Sequence, residues 1–214
     1  MKNALFAAVM AAASLTSLTA LPASAQDMQM TPWKDMPAGV YTIDKYHASL
    51  TWKVMHAGLS NYTARFKSFD ADITFDPADI TKSKVSAKID PASLETDFVP
   101  TAEKDFNKNL VTQEQWFNAG KYPDITFTST KIEVTGDNTG KIHGDLTFLG
   151  VTKPVVLDAT FNGAYALQPF SKKPAMGFSA TTSLSRSDFG MSTYVPMIGD
   201  KVEIAIEAEF AKKD

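Results

Sequence analysis

From residue 40 onward the apolar residues recur at almost every second position, and that period commits a chain to β-strands with one buried face. Residues 202–210 show it most clearly: Val202, Ile204, Ile206, Ala208 and Phe210 alternate with Glu203, Ala205, Glu207 and Glu209. Ile142, Gly144, Leu146 and Phe148 alternate in the same way with Lys141, His143, Asp145 and Thr147, and residues 85–90 and 155–161 follow suit. One apolar and one wetted face on each strand is the pattern of an antiparallel sheet around a single core. The runs cover 47–56, 62–76, 82–91, 123–134, 140–149, 153–163, 174–184 and 200–211, which predicts eight long strands, with a shorter one at 40–44. Inside the second run the phase switches, because Tyr62, Ala64 and Phe66 share one parity while Phe69, Ala71, Ile73 and Phe75 share the other. Such a slip is what a β-bulge produces, and bulges let a sheet curl.

Residues 101–118 depart from this period. Phe106 and Leu110 stand four apart among Glu103, Lys104, Asp105 and Lys108, which reads as one or two amphipathic helical turns. Thr112 and Gln115 then have the spacing of a capping box ahead of Trp116 and Phe117. Two architectures satisfy this order of elements, a two-sheet sandwich and a closed barrel. Closure removes edge strands, so the expected fold is all-β, an eight-stranded antiparallel lipocalin-like barrel with a short helical excursion between strands 3 and 4.

The ends and the composition narrow the class further. Lys2 is the only charge before Asp27, residues 4–21 are apolar and small, and Ala23, Ser24 and Ala25 supply a small-x-small cleavage site. Residues 1–25 therefore read as a secretory signal peptide, 26–38 as an irregular Met- and Pro-rich arm, and 39–214 as the barrel domain. The apolar run is too short for a stable membrane anchor, and the periplasm is the expected location. With 21 Lys+Arg against 24 Asp+Glu there is no basic surface for nucleic acid. The absence of cysteine excludes thiol nucleophiles, cysteine-held zinc and iron–sulfur clusters.

Catalytic chemistry finds little support in the motifs. His47 and His56 lie roughly 30 Å apart on one straight strand at about 3.3 Å per residue, so they do not share a metal with His143, and no metal or catalytic residue is assigned. No Gly-x-Ser-x-Gly elbow, His-Glu-x-x-His helix or phosphate loop occurs. Asp70 and Asp72 share a solvated strand face. A secreted hydrolase, peptidase or esterase, would have to use serine or histidine on the barrel rim. The apolar inventory is more telling: 14 Phe, 3 Trp and 6 Tyr are many for this length, and a good share fall on the inward parity of strands. They either fill the barrel, as in a structural or stress-response protein, or surround one apolar ligand.

Residues 41–56, with Tyr41, Asp44, His47, Ser49, Trp52, Val54 and His56, are followed by the Phe66/Phe69 strand and by 122–130 from Tyr122 to Thr130. Gly144, Asp145, Leu146, Thr147 and Phe148 lead into Gly150, Thr152, Pro154 and Val155, and Ser185-Arg186-Ser187-Asp188-Phe189-Gly190-Met191 closes the series. In this order the chain resembles the YceI-like family of exported, lipocalin-like lipid-binding proteins over nearly all of 40–211. Ala64 and Ala71 stand where the family more often has glycine, and Leu149 where a basic or polar residue often precedes the turn glycine. The resemblance implies a barrel with a hydrophobic tunnel for a long-chain isoprenoid, an isoprenoid quinone or another amphiphilic lipid, no cofactor besides that ligand, and no catalytic residue; a homodimer is compatible with it. Strand length and tilt give a barrel about 25 Å tall, so an eight-unit isoprenoid must fold back or protrude. The expected ligand-binding wall is Trp52, Val54, His56, Phe66, Phe127, Leu146, Phe148, Ala159, Phe161 and Phe178. His56 is read as a core histidine satisfied by local partners, ahead of a contact for a quinone or amide head group. Asp44 and His47 are expected to pair at the strand start, and Arg186 and Asp188 to pin the loop before the last strand.

Overall fold

The computed structural model describes residues 29–214 except residue 102, so the leader expected at 1–25 lies outside the described residues. In chain order the strands are β1 (Gly39–His56), β2 (Ser60–Phe66), β3 (Phe69–Phe75), β4 (Lys84–Ile89) and β5 (Leu94–Thr96). A helix, α1 (Phe106–Thr112), precedes β6 (Ile125–Val134), β7 (Thr139–Phe148), β8 (Val151–Tyr165), β9 (Ala175–Ser185) and β10 (Ile198–Lys212). All pairings are antiparallel, and β10 returns to β1 to close the sheet on itself. Because β2 and β3 lie end to end beside β1, and β5 and β4 lie end to end beside them, the ten strands occupy the eight positions of one closed barrel. Among the described residues no helix is long and apolar enough to cross a membrane.

Two expected boundaries move for identifiable reasons. The bulged strand expected at 62–76 is two strands, broken at Lys67 and Ser68. There the backbone amides of both turn aside, Lys67 N donating to Ser93 O at 3.1 Å and Ser68 N to Ser93 Oγ at 3.0 Å. The expected strands at 40–44 and 47–56 are one strand, β1, with a wide bulge between Ile43, opposite Phe210, and Ala48, opposite Ala208. Asp44 and His47 sit on this outward bulge, in mid-strand and not at a strand start. The expected capping box is absent from its place: Thr112 is the last residue of α1, and its hydroxyl donates back to Lys108 O at 2.8 Å. The N-cap is Asp105, whose carboxylate accepts from Lys108 N at 2.9 Å.

The buried residues form two clusters, one toward each end of the barrel. Leu50, Phe66, Leu110, Phe117, Phe148 and Phe189 belong to the upper one, beneath α1, the β1–β2 turn and the loop 186–197. Met36, Tyr41, Phe75, Met176 and Phe210 belong to the lower one, beside the arm. A short 3-10 turn, Trp33–Asp35, and a hydrogen bond from Thr31 N to Ala164 O at 2.7 Å lay the arm against the lower end. Inward residues of the middle, including Leu146, Ala159, Phe178, Ile204 and Ile206, are only half-buried. They face a hollow.

Candidate binding cavity

That hollow is a cavity of about 560 Å³ running along the barrel. The strands create it by placing small residues in register on their inner faces. Gly140 stands opposite Ala159, Ala159 opposite Ala180, and Ala180 opposite Ile206. Across the barrel, Ala71 stands opposite Ala87 and Ala87 opposite Phe127. Gly144 has a sharper role. A Cβ there would overlap the Phe127 ring and lie 2.6 Å from Thr128 O. The missing side chain therefore gives Phe127 a bed on the neighbouring strand and keeps its ring against the wall. The wall is apolar nearly throughout, from Trp33, Ile80 and Val134 at the lower end to Tyr62, Phe106 and Trp116 at the upper. All three tryptophans of the chain, Trp33, Trp52 and Trp116, line it.

All ten residues expected on the inner wall lie along this one cavity: Trp52, Val54, His56, Phe66, Phe127, Leu146, Phe148, Ala159, Phe161 and Phe178. Phe161 and Phe178 pack at 5.6 Å, Phe178 meets Phe210 edge-on at 6.0 Å, and Trp52 tilts against Phe117 at 6.2 Å. His56 differs from its reading as a satisfied core residue. It has the inward parity, but it is the last residue of β1 and is exposed at the upper mouth. The alternation pattern fixes which way a side chain points, and says nothing of how near the strand end is to water. Residues that strand parity could not supply are Phe106, Trp116 and Tyr194, which reach the mouth from α1 and two loops. Leu149 adopts a left-handed φ of 49° beside Gly150 at 75° in a two-residue hairpin and packs on the upper cluster.

The upper mouth is held by one buried cation. Arg186 is 3% exposed; its Nε donates to Gly199 O at 2.9 Å, and Nη1 donates to Met191 O at 2.9 Å. Nη2 donates to Thr193 O at 2.8 Å and Ile198 O at 2.9 Å. Burial pushes this guanidinium below its ordinary range, and the nearby charge of Asp200 opposes that. Arg186 thus pins the loop as expected, but its acidic companion is not Asp188, which is exposed. Asp200 accepts from Ser187 N at 2.9 Å and from Ser187 Oγ at 2.8 Å. Burial would raise the Asp200 carboxyl, and these bonds outweigh it, so that it sits below the usual carboxylate range.

The ion-pairing groups of β1, β3, β6 and β7 stand outside the barrel. His47 Nδ1 and Asp44 Oδ2 pair at 2.8 Å, with Glu209 as the third group facing them. The Asp44 hydrogen bond holds the His47 imidazole above its ordinary value, and the same bond holds the Asp44 carboxyl low. His143, on the outer face of β7, lies 3.6 Å from Glu133. Asp70 and Asp72 are engaged on the outer face by Lys45 and by the Thr42 hydroxyl.

Residues 41–210 match the model of the YceI-like domain. Over 156 residues the chain is 42% identical to a UPF0312 protein of Pseudomonas putida, covering 72% of this chain and 77% of the relative. A crystal structure of the Campylobacter jejuni YceI protein superposes with a TM-score of 0.64 at 35% identity, covering 76% of this chain and 91% of that one. A polyisoprenoid binding domain from Saccharophagus degradans, implicated in plant cell wall breakdown, shares the fold with a TM-score of 0.58 at 13% identity, covering 83% of this chain and all of that one.

Proposed function

The chain belongs to the YceI-like family, and from that premise we propose that it is a non-catalytic binding protein which carries or stores an isoprenoid lipid in its barrel. The observation behind the reading is the cavity itself: about 560 Å³, apolar, and extended along the strands. At about 30 Å³ per methylene-sized group it has room for on the order of twenty carbons, or roughly four isoprene units. Each buried methylene contributes about 0.8 kcal/mol, so a tail alone can bind tightly. Longer chains fold back or leave the mouth beside His56. Length is then read by the tunnel, and the head group only weakly.

What favours binding over hydrolysis is the dispersal of the candidate groups. His47 is on the outer bulge of β1, His56 at the mouth and His143 on the outside of β7. A hydrolase needs nucleophile, base and oxyanion donors converging on one reacting atom. The leader-like residues 1–25 support a periplasmic site of action. Native mass spectrometry of protein purified without detergent should reveal a co-purifying lipid, and the emission of Trp33, Trp52 and Trp116 should respond as a prenylated quinone enters. An empty barrel that leaves this emission unchanged on titration would refute the assignment.

A further inference from the structure

We propose that the upper rim of the barrel docks on the surface of a phospholipid bilayer, so that a lipid chain passes directly between membrane and tunnel. This rests on the reading of the cavity as a lipid site. Beside α1 and the Trp116 loop, which carry charges, two segments of the rim, 54–64 around the β1–β2 turn and 189–199 leading into β10, contain no Asp, Glu, Lys or Arg. They are joined by a bond from Ala57 N to Met197 O at 2.7 Å. From them project Leu59 at 86% exposure, Met197 at 67% and Tyr194 at 64%, large apolar surfaces turned to water. The patch is continuous with the tunnel, since His56, Tyr62, Tyr194 and Ile198 belong to rim and cavity wall alike. Trp116 packs on Tyr194 at 6.2 Å, a pair of the amphipathic kind that settles at a membrane interface.

A loop can leave water only if its backbone polar groups are already satisfied. Arg186 meets that condition from inside, holding the carbonyls of Met191, Thr193, Ile198 and Gly199, while Val195 N and Ile198 N bond to Ser192 O and Tyr194 O. The lower end also exposes Leu167 and Phe170, but it sets them on one loop with Lys172 and Lys173, and Asp76, Asp79 and Lys82 stand on the neighbouring loop, so its apolar side chains lie among charges. A second copy seated on the upper rim would seal the route by which the chain enters. A bilayer would supply the chain.

The test is co-sedimentation of the purified protein with phosphatidylcholine vesicles, beside a Leu59→Asp/Met197→Asp variant whose near-ultraviolet circular dichroism confirms the fold. Burial of one such side chain corresponds to about tenfold to a hundredfold in partitioning, so the double variant should stay in the supernatant. With no charge in the two docking segments, binding should persist at high salt and without anionic lipid. Uptake of geranylgeraniol from solution, read by tryptophan emission, should be equal in the two proteins. Wild-type protein that takes up geranylgeraniol yet ignores vesicles, or a variant that sediments as well as wild type, overturns the docking proposal and leaves the lipid site standing. So does a rim-dependent dimer, seen by analytical ultracentrifugation, that does not bind vesicles. Failure of both proteins to take up geranylgeraniol overturns the lipid site, and docking with it.

Discussion

Replacing Ala159 with phenylalanine should shorten the longest chain the tunnel accepts by about one isoprene unit. Ala159 lies in the row of small residues with Gly140 and Ala180, half-buried only because it faces the hollow. An apolar cavity of about 150 Å³ accommodates one benzene, so the new ring claims roughly a quarter of the 560 Å³ present. The ring thus takes the place of some five ligand carbons. At about 0.8 kcal/mol each they represent ~4 kcal/mol, close to three decades in Kd for a ligand that fills the tunnel. A short prenyl alcohol that leaves the position empty should bind as before. Titration with a ladder of prenyl alcohols, followed by tryptophan emission, reads this directly, with the exposed Lys153→Gln variant as control. Because the ring enters empty space, the Tm of the ligand-free protein should hold or rise. Equal losses for short and long chains, or a Tm drop of many degrees, would falsify the claim that this position opens on the lumen.

Gly144→Ala should act oppositely, forcing the Phe127 ring and the Thr128 carbonyl aside and costing about 1–3 kcal/mol in a urea melt. In a Phe127→Ala background the same change should cost less, and strict additivity would mean that the ring is not the obstacle. Arg186→Lys cannot serve four carbonyls at once and should cost about 3 kcal/mol, or some 6–12 °C in Tm for a chain of this size. An unchanged melt would show that the loop 191–199 holds without it. For His47, an NMR titration should give a pKa above the ordinary 6.5, falling on Asp44→Asn. The imidazole is raised, so the pair's contribution is full below 6.5 and fades as pH rises through the folded value; Asp44 is lowered, so on the acid side it fades as pH falls below 3.8. A His47 value indifferent to Asp44→Asn would sever the link.

The alternation in β6 to β10 was enough to identify the strands, their inward faces and their antiparallel order, because each of these strands has one wet and one dry side. It failed at Asp44 to His47, where an outward bulge leaves four polar or exposed side chains in a row and imitates a loop. It also failed at Lys67 and Ser68, where a strand break and a bulge shift the phase alike. The helical turns at Phe106 and Leu110 were legible, but the capping box read at Thr112 was not one, because a Thr-x-x-Gln spacing looks the same at a helix end, where the Thr112 hydroxyl turns back to Lys108 O. The wall residues were legible for the same reason as the strands, but not the space between them. Inward Phe, Leu and Ala alternate identically whether they touch across the axis or stand apart. The loop-borne Trp116 and Tyr194 carry no periodic signal at all, and the helical spacing of Phe106 does not tell that it reaches the mouth.

Two packed ends with a hollow between them make the empty fold a bulky one. Unfolding collapses internal void, so hydrostatic pressure should work against the ligand-free protein more than against a solid barrel of equal length. A bound chain fills the same volume that pressure would exploit, and it stabilises in proportion to its concentration over its Kd. On the proposed reading the ligand is a detachable portion of the hydrophobic core, and the folded fraction should rise with its supply.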